Sequence, residues 1–176
     1  MSIGRLLLTP ALFRLARHNH CHLLIPSGAV SGLDTVKAAG LKKIHRITLT
    51  TRKPLKGFSN NPYLKKKGIR LDRIRRITTI FEGPVRQAVK HFPRNINVAA
   101  TLALASGRED KLRIRILTAP HFTKNSHEVE IVGDFGRMVS RTENTICPDN
   151  PKTSYLAVLS AIQTLKDFAQ GGRIGT

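Results

Sequence analysis

At 176 residues, with 40% hydrophobic and 23% charged side chains, the chain carries enough apolar material for one ordinary core, which excludes wholesale disorder. Thirty Lys and Arg against eleven Asp and Glu give a formal charge of +19, concentrated in residues 1–90, where nineteen basic side chains face three acidic ones; such a field attracts anions, from nucleic acid to small polyanionic substrates. Two isolated cysteines, Cys21 and Cys147, exclude a disulfide framework and point to a reducing compartment, and no apolar run approaches the roughly 20 residues of a membrane span.

No acidic residue precedes Asp34, and Arg5, Arg14 and Arg17 punctuate a leucine-rich stretch. This reads either as a mitochondrial transit peptide or as an ordinary strand and helix. Thr9-Pro10 supplies a cap and a first-turn proline for a helix from Ala11 to about Arg17, and His22 to Ile25, ended by Pro26, reads as a buried parallel strand. Residues 1–26 therefore look like the tail of an α/β unit. Ser27 to Gly32 is a small-residue loop, and Leu33 to Ala39 is a predicted helix closed by Gly40.

Alternation predicts strands at 44–51, 74–81, 112–117, 128–132 and 137–142, with the proline- and asparagine-rich stretch 53–68 as a loop. Helices are predicted at 84–91, 95–106 and 153–170, the last opened by Asn150-Pro151 and stopped by Gly171-Gly172. The expected architecture is α+β: a mixed sheet of about five strands covered on one face by those three helices, preceded by the tail of a Rossmann-type α/β unit.

Four places carry chemistry. Pro26-Ser27-Gly28-Ala29 follows an apolar strand, where a flat ring approaches backbone most easily, although a plain tight turn reads the same way. Asn95-Ile96-Asn97 opens a helix; one asparagine suffices as a cap, leaving the other for a ligand. His127, in Asn125-Ser126-His127-Glu128, is placed either to exchange protons near neutral pH or simply to fill a structural position. Lys152, Thr153 and Ser154, at a predicted helix start, suit a carboxylate or phosphate, or mere capping. The run His18-Asn19-His20-Cys21-His22 alternates sides along its segment and closes no metal site, so no metal is expected.

In order along the chain, Ile25-Pro26-Ser27-Gly28-Ala29-Val30-Ser31-Gly32-Leu33-Asp34, Thr50-Thr51-Arg52-Lys53-Pro54, Phe81-Glu82-Gly83, Asn95-Ile96-Asn97-Val98-Ala99-Ala100-Thr101-Leu102, Asn125-Ser126-His127-Glu128 and Asn150-Pro151-Lys152-Thr153-Ser154 resemble the blocks of the L-aspartate dehydrogenase family. The resemblance covers residues 23–176, and residues 2–22 more loosely. It implies hydride transfer from L-aspartate to NAD or NADP, giving iminoaspartate, which feeds NAD biosynthesis or hydrolyses to oxaloacetate and ammonia. It also implies a homo-oligomer, expected to be a dimer, in the cytoplasm. By the same resemblance Ala29 and Asn97 fall on cofactor-contacting positions and His127 on the catalytic histidine, with Lys152, Thr153 and Ser154 as our own substrate-binding candidates. Residues 1–35 would be the remnant of a dinucleotide-binding domain and residues 36–176 the catalytic and oligomerisation domain.

The chain departs from the family pattern at four points, its excess of basic charge being one. No G-x-G-x-x-G follows any strand, Met1-Ser2-Ile3-Gly4 matches the family mid-domain as if the chain began at an internal methionine, and Thr118-Ala119-Pro120 replaces an alanine-aspartate-proline. A chain without the glycine-rich turn is expected to bind NAD weakly. The alternative, from another class, is a non-catalytic basic protein of this fold that binds RNA or another anionic partner in an assembly; under the enzyme reading only weak, sequence-independent nucleic-acid binding centred on Lys65 to Arg76 is expected.

Overall fold

The computed structural model describes Thr9, residues 11–93 and residues 96–171. Five strands, β1 (Ile44–Pro54), β2 (Thr78–Pro84), β3 (Leu112–Ala119), β4 (Asn125–Gly133) and β5 (Gly136–Asn144), form one mixed sheet in the order β2-β3-β1-β4-β5. Central β1 runs parallel to β3 and antiparallel to β4. Residue alternation sends Ile47, Leu49, Leu112, Ile114, Ile116, Val129 and Ile131 to one face, where all are buried. Arg46, Arg113, Arg115, Glu128 and Glu130 go to the other. Charge pairs cross that outer face, Arg46 with Glu130 at 3.3 Å and Arg115 with Glu82 at 3.1 Å.

The apolar face lies under three helices. They follow a first helix α1 (Ala11–His18) and are α2 (Leu33–Ala39), α4 (Val85–His91) and α5 (Asn97–Ser106), with a short α3 (Pro62–Lys66) between the first two. Helix α5 is apolar on nearly all sides, as a helix sandwiched between a sheet and neighbouring helices must be; Ala99, Ala100, Leu102 and Ala103 are all buried. Beside it Phe92, fully buried, takes the ring edges of Phe58, Tyr63 and Phe81 at centroid distances of 6.2, 5.3 and 5.5 Å. A small second sheet, β6 (Ile146–Cys147) and β7 (Asn150–Ser154), leads into the long helix α6 (Tyr155–Gln170).

Five elements differ from the sequence expectation. His22 to Ile25 forms no strand: its backbone finds no ladder among the described residues. The strand expected from Ile74 begins at Thr78, because Ile74 to Arg76 leave the 3₁₀ turn Leu71–Arg73 without pairing while Ile74 buries its side chain. The stretch 53–68 is not all loop; its first two residues extend β1, and Asn61 caps α3 by accepting from Tyr63 N and Leu64 N at 2.9 and 3.3 Å. Gly40 closes α2 in right-handed conformation (φ −61°), so its role is room: a Cβ there would meet the Lys37 and Ser106 carbonyls at 3.1 and 3.2 Å. Lastly, α6 does not cover the five-stranded sheet. It lies along β6 and β7 and against the segment 22–28, through His22 on Phe168 and the Gly28 amide on Ser160 Oγ (3.0 Å), and none of the residues described on it is buried. Among the described residues no helix is long and apolar enough to cross a membrane.

A second tight glycine pins the start of β1. A Cβ on Gly133 would stand 2.6 Å from the Lys43 carbonyl, which already accepts from Asp134 N at 3.0 Å. Gly133→Ala must therefore push the β1–β4 pairing apart, and we expect a loss of about 1–3 kcal/mol in urea unfolding, the usual cost of overpacking against an immobile group. An unchanged urea midpoint would show that the β1 entry yields freely.

Candidate active site

Strands β1 and β3 finish side by side, Pro54 opposite Ala119. Helix α2 ends at Ala39 shortly before β1 begins, and α5 ends at Ser106 shortly before β3. Both helices thus run back along the sheet, and their first turns lie at the end where β1 and β3 finish, which is where ligands gather beyond parallel strands. Asn97, the first residue of α5, stands at that end; its neighbour Ile96, not an asparagine side chain, occupies the cap position, and Asn95 lies outside the described residues.

The buried face of the sheet turns polar at the same end. Thr51 of β1 pairs across with His127 of β4, and Thr51 Oγ1 lies 3.1 Å from His127 Nδ1. Lys53, two residues further along β1 on the same face, stands beside Thr118 of β3, whose hydroxyl donates to the Lys53 carbonyl at 2.8 Å. On the other side His127 pairs with Thr142 of β5. Thr142 Oγ1 and Asn144 Nδ2 donate to the Ala29 carbonyl at 2.8 and 3.2 Å, while Ser140 Oγ donates to that of Ser31 at 3.1 Å. A ladder of polar side chains on β5 thereby straps the Ser27 to Gly32 loop over the His127 end of the sheet. Gly28 holds φ +71°, a conformation that costs glycine nothing, and a Cβ there would meet nothing within 4 Å, so there is open space beside it.

His127 is 4% exposed. Burial, and secondarily the charge of Lys53, hold its pKa down to about 3, so the ring is neutral at ordinary pH. Burial also lowers Lys53, to about 8. The Thr51 hydroxyl both donates and accepts, so it holds the imidazole in either tautomer and after protonation. This leaves Nε2 to take up or release a proton while Nδ1 stays anchored.

Ala29, Asn97 and His127 therefore meet at one end of the sheet. Lys152, Thr153 and Ser154 lie on β7, with Ser154 opposite Ile146, and lead into α6: Ser154 holds its N-cap position without a side-chain cap hydrogen bond, and the helix begins at Tyr155, two residues later than expected. Proline is tolerated on such a two-stranded edge, which is why Pro151 did not force a helix; the Lys152 side chain lies outside the described residues. Sequence reasoning gave no role to Thr51, Lys53, Thr142 or Asn144. The available signal was period-two polarity, Ser140-x-Thr142-x-Asn144, on a strand face where apolar residues are the rule. Among the described residues no group of three or more His, Cys, Asp or Glu side chains is placed to hold a metal ion.

The comparisons with known proteins agree with one another. The family model "Aspartate dehydrogenase, C-terminal" matches residues 34–168. A protein named L-aspartate dehydrogenase from Methanosarcina barkeri is 46% identical over 179 aligned positions, which take in 100% of this chain and 66% of that protein. Its namesake from Methanococcoides burtonii is 45% identical, over 93% of this chain and 60% of that one. A crystal structure of aspartate dehydrogenase from Thermotoga maritima superposes with a TM-score of 0.75 at 27% identity, covering 98% of this chain and 66% of the other. The chain thus spans about two thirds of the length of the relatives it matches. Matched by the family's C-terminal domain over most of its length, and by such relatives along all of it, the chain belongs to the aspartate dehydrogenase family.

Proposed function

We propose that the protein supplies the catalytic domain of an L-aspartate dehydrogenase, in which L-aspartate gives a hydride from Cα to NAD or NADP and a proton from its amine, leaving iminoaspartate. The observation that carries this reading is His127, buried, neutral and anchored by Thr51, beneath a small-residue loop strapped to the neighbouring strand. We place the nicotinamide ring against that loop. Open space lies beside Gly28, and Asn144 Oδ1 is buried yet accepts no hydrogen bond among the described residues, an acceptor suited to a carboxamide N–H. Ala29 and Asn97 would border the ring, and the oxidised nicotinamide, when bound, supplies a hydride acceptor. Everything else falls to the protein's own groups. The loop and α5 fix the approach of Cα, burial excludes water, and His127 Nε2 takes the amine proton as nitrogen becomes an imine. We retain a domain boundary after residue 35, next to the Asp34 at which the family model begins to match. A reducing, cytoplasmic setting suits two free cysteines, one exposed and one buried.

The test is reduction of NAD or NADP by the protein in the presence of L-aspartate, L-glutamate or L-alanine in turn. Only aspartate is expected to support it, and equal rates with all three, or none with aspartate, defeat the proposal. Asn97→Ala should then raise the apparent constant for the cofactor about tenfold with turnover within about twofold, because a contact made equally in ground and transition states affects binding more than rate.

A further inference from the structure

We propose that Lys65 to Arg76 forms a docking ridge for the phosphate backbone of double-stranded nucleic acid, an activity separate from the chemistry at His127. The chain between α3 and β2 sorts its side chains by polarity. Leu64 and Ile74 are buried, and Ile69 and Leu71 pack against the same core. Three consecutive lysines from Lys65 and four arginines, Arg70, Arg73, Arg75 and Arg76, are left outside, every one exposed, with Asp72 as the single carboxylate among them. Arg70 engages Asp72 at 2.8 and 3.3 Å, and Arg73 stands near the same carboxylate. Lys65, Lys66, Lys67, Arg75 and Arg76 meet no carboxylate among the described residues.

The ridge is held by its own backbone. The chain turns at Gly68, φ +66°, where Ile69 N donates to the Leu64 carbonyl at 2.9 Å and Lys67 N to that of Tyr63 at 3.0 Å. Arg73 N reaches the Arg70 carbonyl at 3.1 Å, and the Arg75 guanidinium donates to the Asp72 carbonyl at 2.6 Å. Cations on an ordered backbone lose less conformational entropy when a polyanion binds. Elsewhere charge cancels: Glu82, Glu128, Glu130 and Glu143 of the sheet each meet an arginine. The kind of partner follows from what the ridge lacks. No aromatic residue lies between Lys65 and Arg76, and Tyr63, just before them, packs on Phe81, His91 and Phe92. Unpaired bases would therefore find no stacking platform. A lipid surface needs an apolar face beside the cations, and the apolar side chains here join the core, apart from Ile77 at the margin. The regular phosphates of a duplex ask only for cations.

The test is fluorescence anisotropy of a labelled, mixed-sequence DNA duplex of about 20 base pairs, titrated with the full chain at several salt concentrations. Roughly micromolar binding is expected at low salt. It should weaken with a log–log slope of about −4.5, from −0.9 for each cation of Lys65, Lys66, Lys67, Arg75 and Arg76. Replacing Lys65, Lys66 and Lys67 together by glutamine should make the slope shallower by about 2.7. The control removes the same charge elsewhere: Lys37→Gln, Lys42→Gln and Lys43→Gln, all exposed, should leave the slope unchanged. If the Lys65–Lys67 variant loses the wild-type circular dichroism, Arg75→Gln with Arg76→Gln takes its place, with an expected change of about 1.8. Equal effects of the ridge and control variants would make the attraction diffuse and overturn the proposal. So would absence of duplex binding at low salt, tighter binding of a single strand of the same length, or binding to phosphatidylserine vesicles with none to the duplex. None of these outcomes depends on whether aspartate is oxidised.

Discussion

Replacing His127 by alanine is expected to lower aspartate turnover about 10²–10⁴-fold per folded molecule, the range contributed by a positioned proton acceptor. The geometry makes the test sharp, because the hydrogen bond with Thr51 fixes the orientation of this ring. A purely structural histidine in the same place would give another pattern: removal would orphan a buried threonine hydroxyl, cost about 1–3 kcal/mol of stability and leave the rate per folded molecule intact. A titration separates the two further. The folded protein holds His127 near pKa 3, whereas the unfolded chain takes up its proton near 6.5. Stability from this site is therefore complete above pH 6.5 and is lost as pH falls toward 3. Between pH 7 and 4.5 the loss is roughly 2 kcal/mol, and His127→Asn should remove that part of the acid limb in urea unfolding. Full turnover in His127→Ala would remove the histidine from the chemistry.

The largest effect on stability is expected at Phe92. Its ring, with no exposed area, closes the space between α3, α4 and β2, so truncation leaves a cavity whose walls are three other aromatic rings that cannot collapse inward together. Phe92→Ala should cost about 3–5 kcal/mol and lower Tm by on the order of 10 °C. Leu165→Ala is the control. That side chain is 62% exposed on α6, and its loss should cost less than about 0.5 kcal/mol. Equal melting temperatures for the two variants would show that the aromatic cluster is not part of the cooperative core.

Strands were legible wherever alternation was strict. Leu112-Arg113-Ile114-Arg115-Ile116 announces a half-buried strand, and it is one. Ile74 misled because an apolar side chain anchors a 3₁₀ turn as well as it starts a strand, and the two differ only in what the backbone pairs with. Asn150-Pro151 misled because the same pair suits a helix start and an edge strand. The resemblance singled out Ala29, Asn97 and His127, and the topology explains how they come to one end of the sheet. Their supporting residues were hidden by distance along the chain: Thr51 reaches His127 across 76 positions, and Thr142 reaches Ala29 across 113, through a register that no local pattern encodes. That α6 leaves Leu159, Ile162, Leu165 and Phe168 exposed was equally hidden, because amphipathic spacing signals a face to be covered without saying by what.

The central position of β1 bears on how the chain is made. Of the five strands of the sheet it is the first to be synthesised, and both its neighbours, β3 and β4, come later in the sequence. At ordinary elongation rates the roughly eighty residues from Pro54 to Gly133 take about 4–16 s to emerge. Until β3 emerges Ile44 to Pro54, rich in β-branched residues and without acidic charge, waits with both edges unpaired, and until β4 emerges with one. The β4–β5 hairpin, closed by a two-residue turn, assembles quickly once synthesised and offers β1 its template. Nascent chains stalled before Val129 should therefore engage hydrophobic-segment chaperones strongly, and chains stalled after Asn144 should release them.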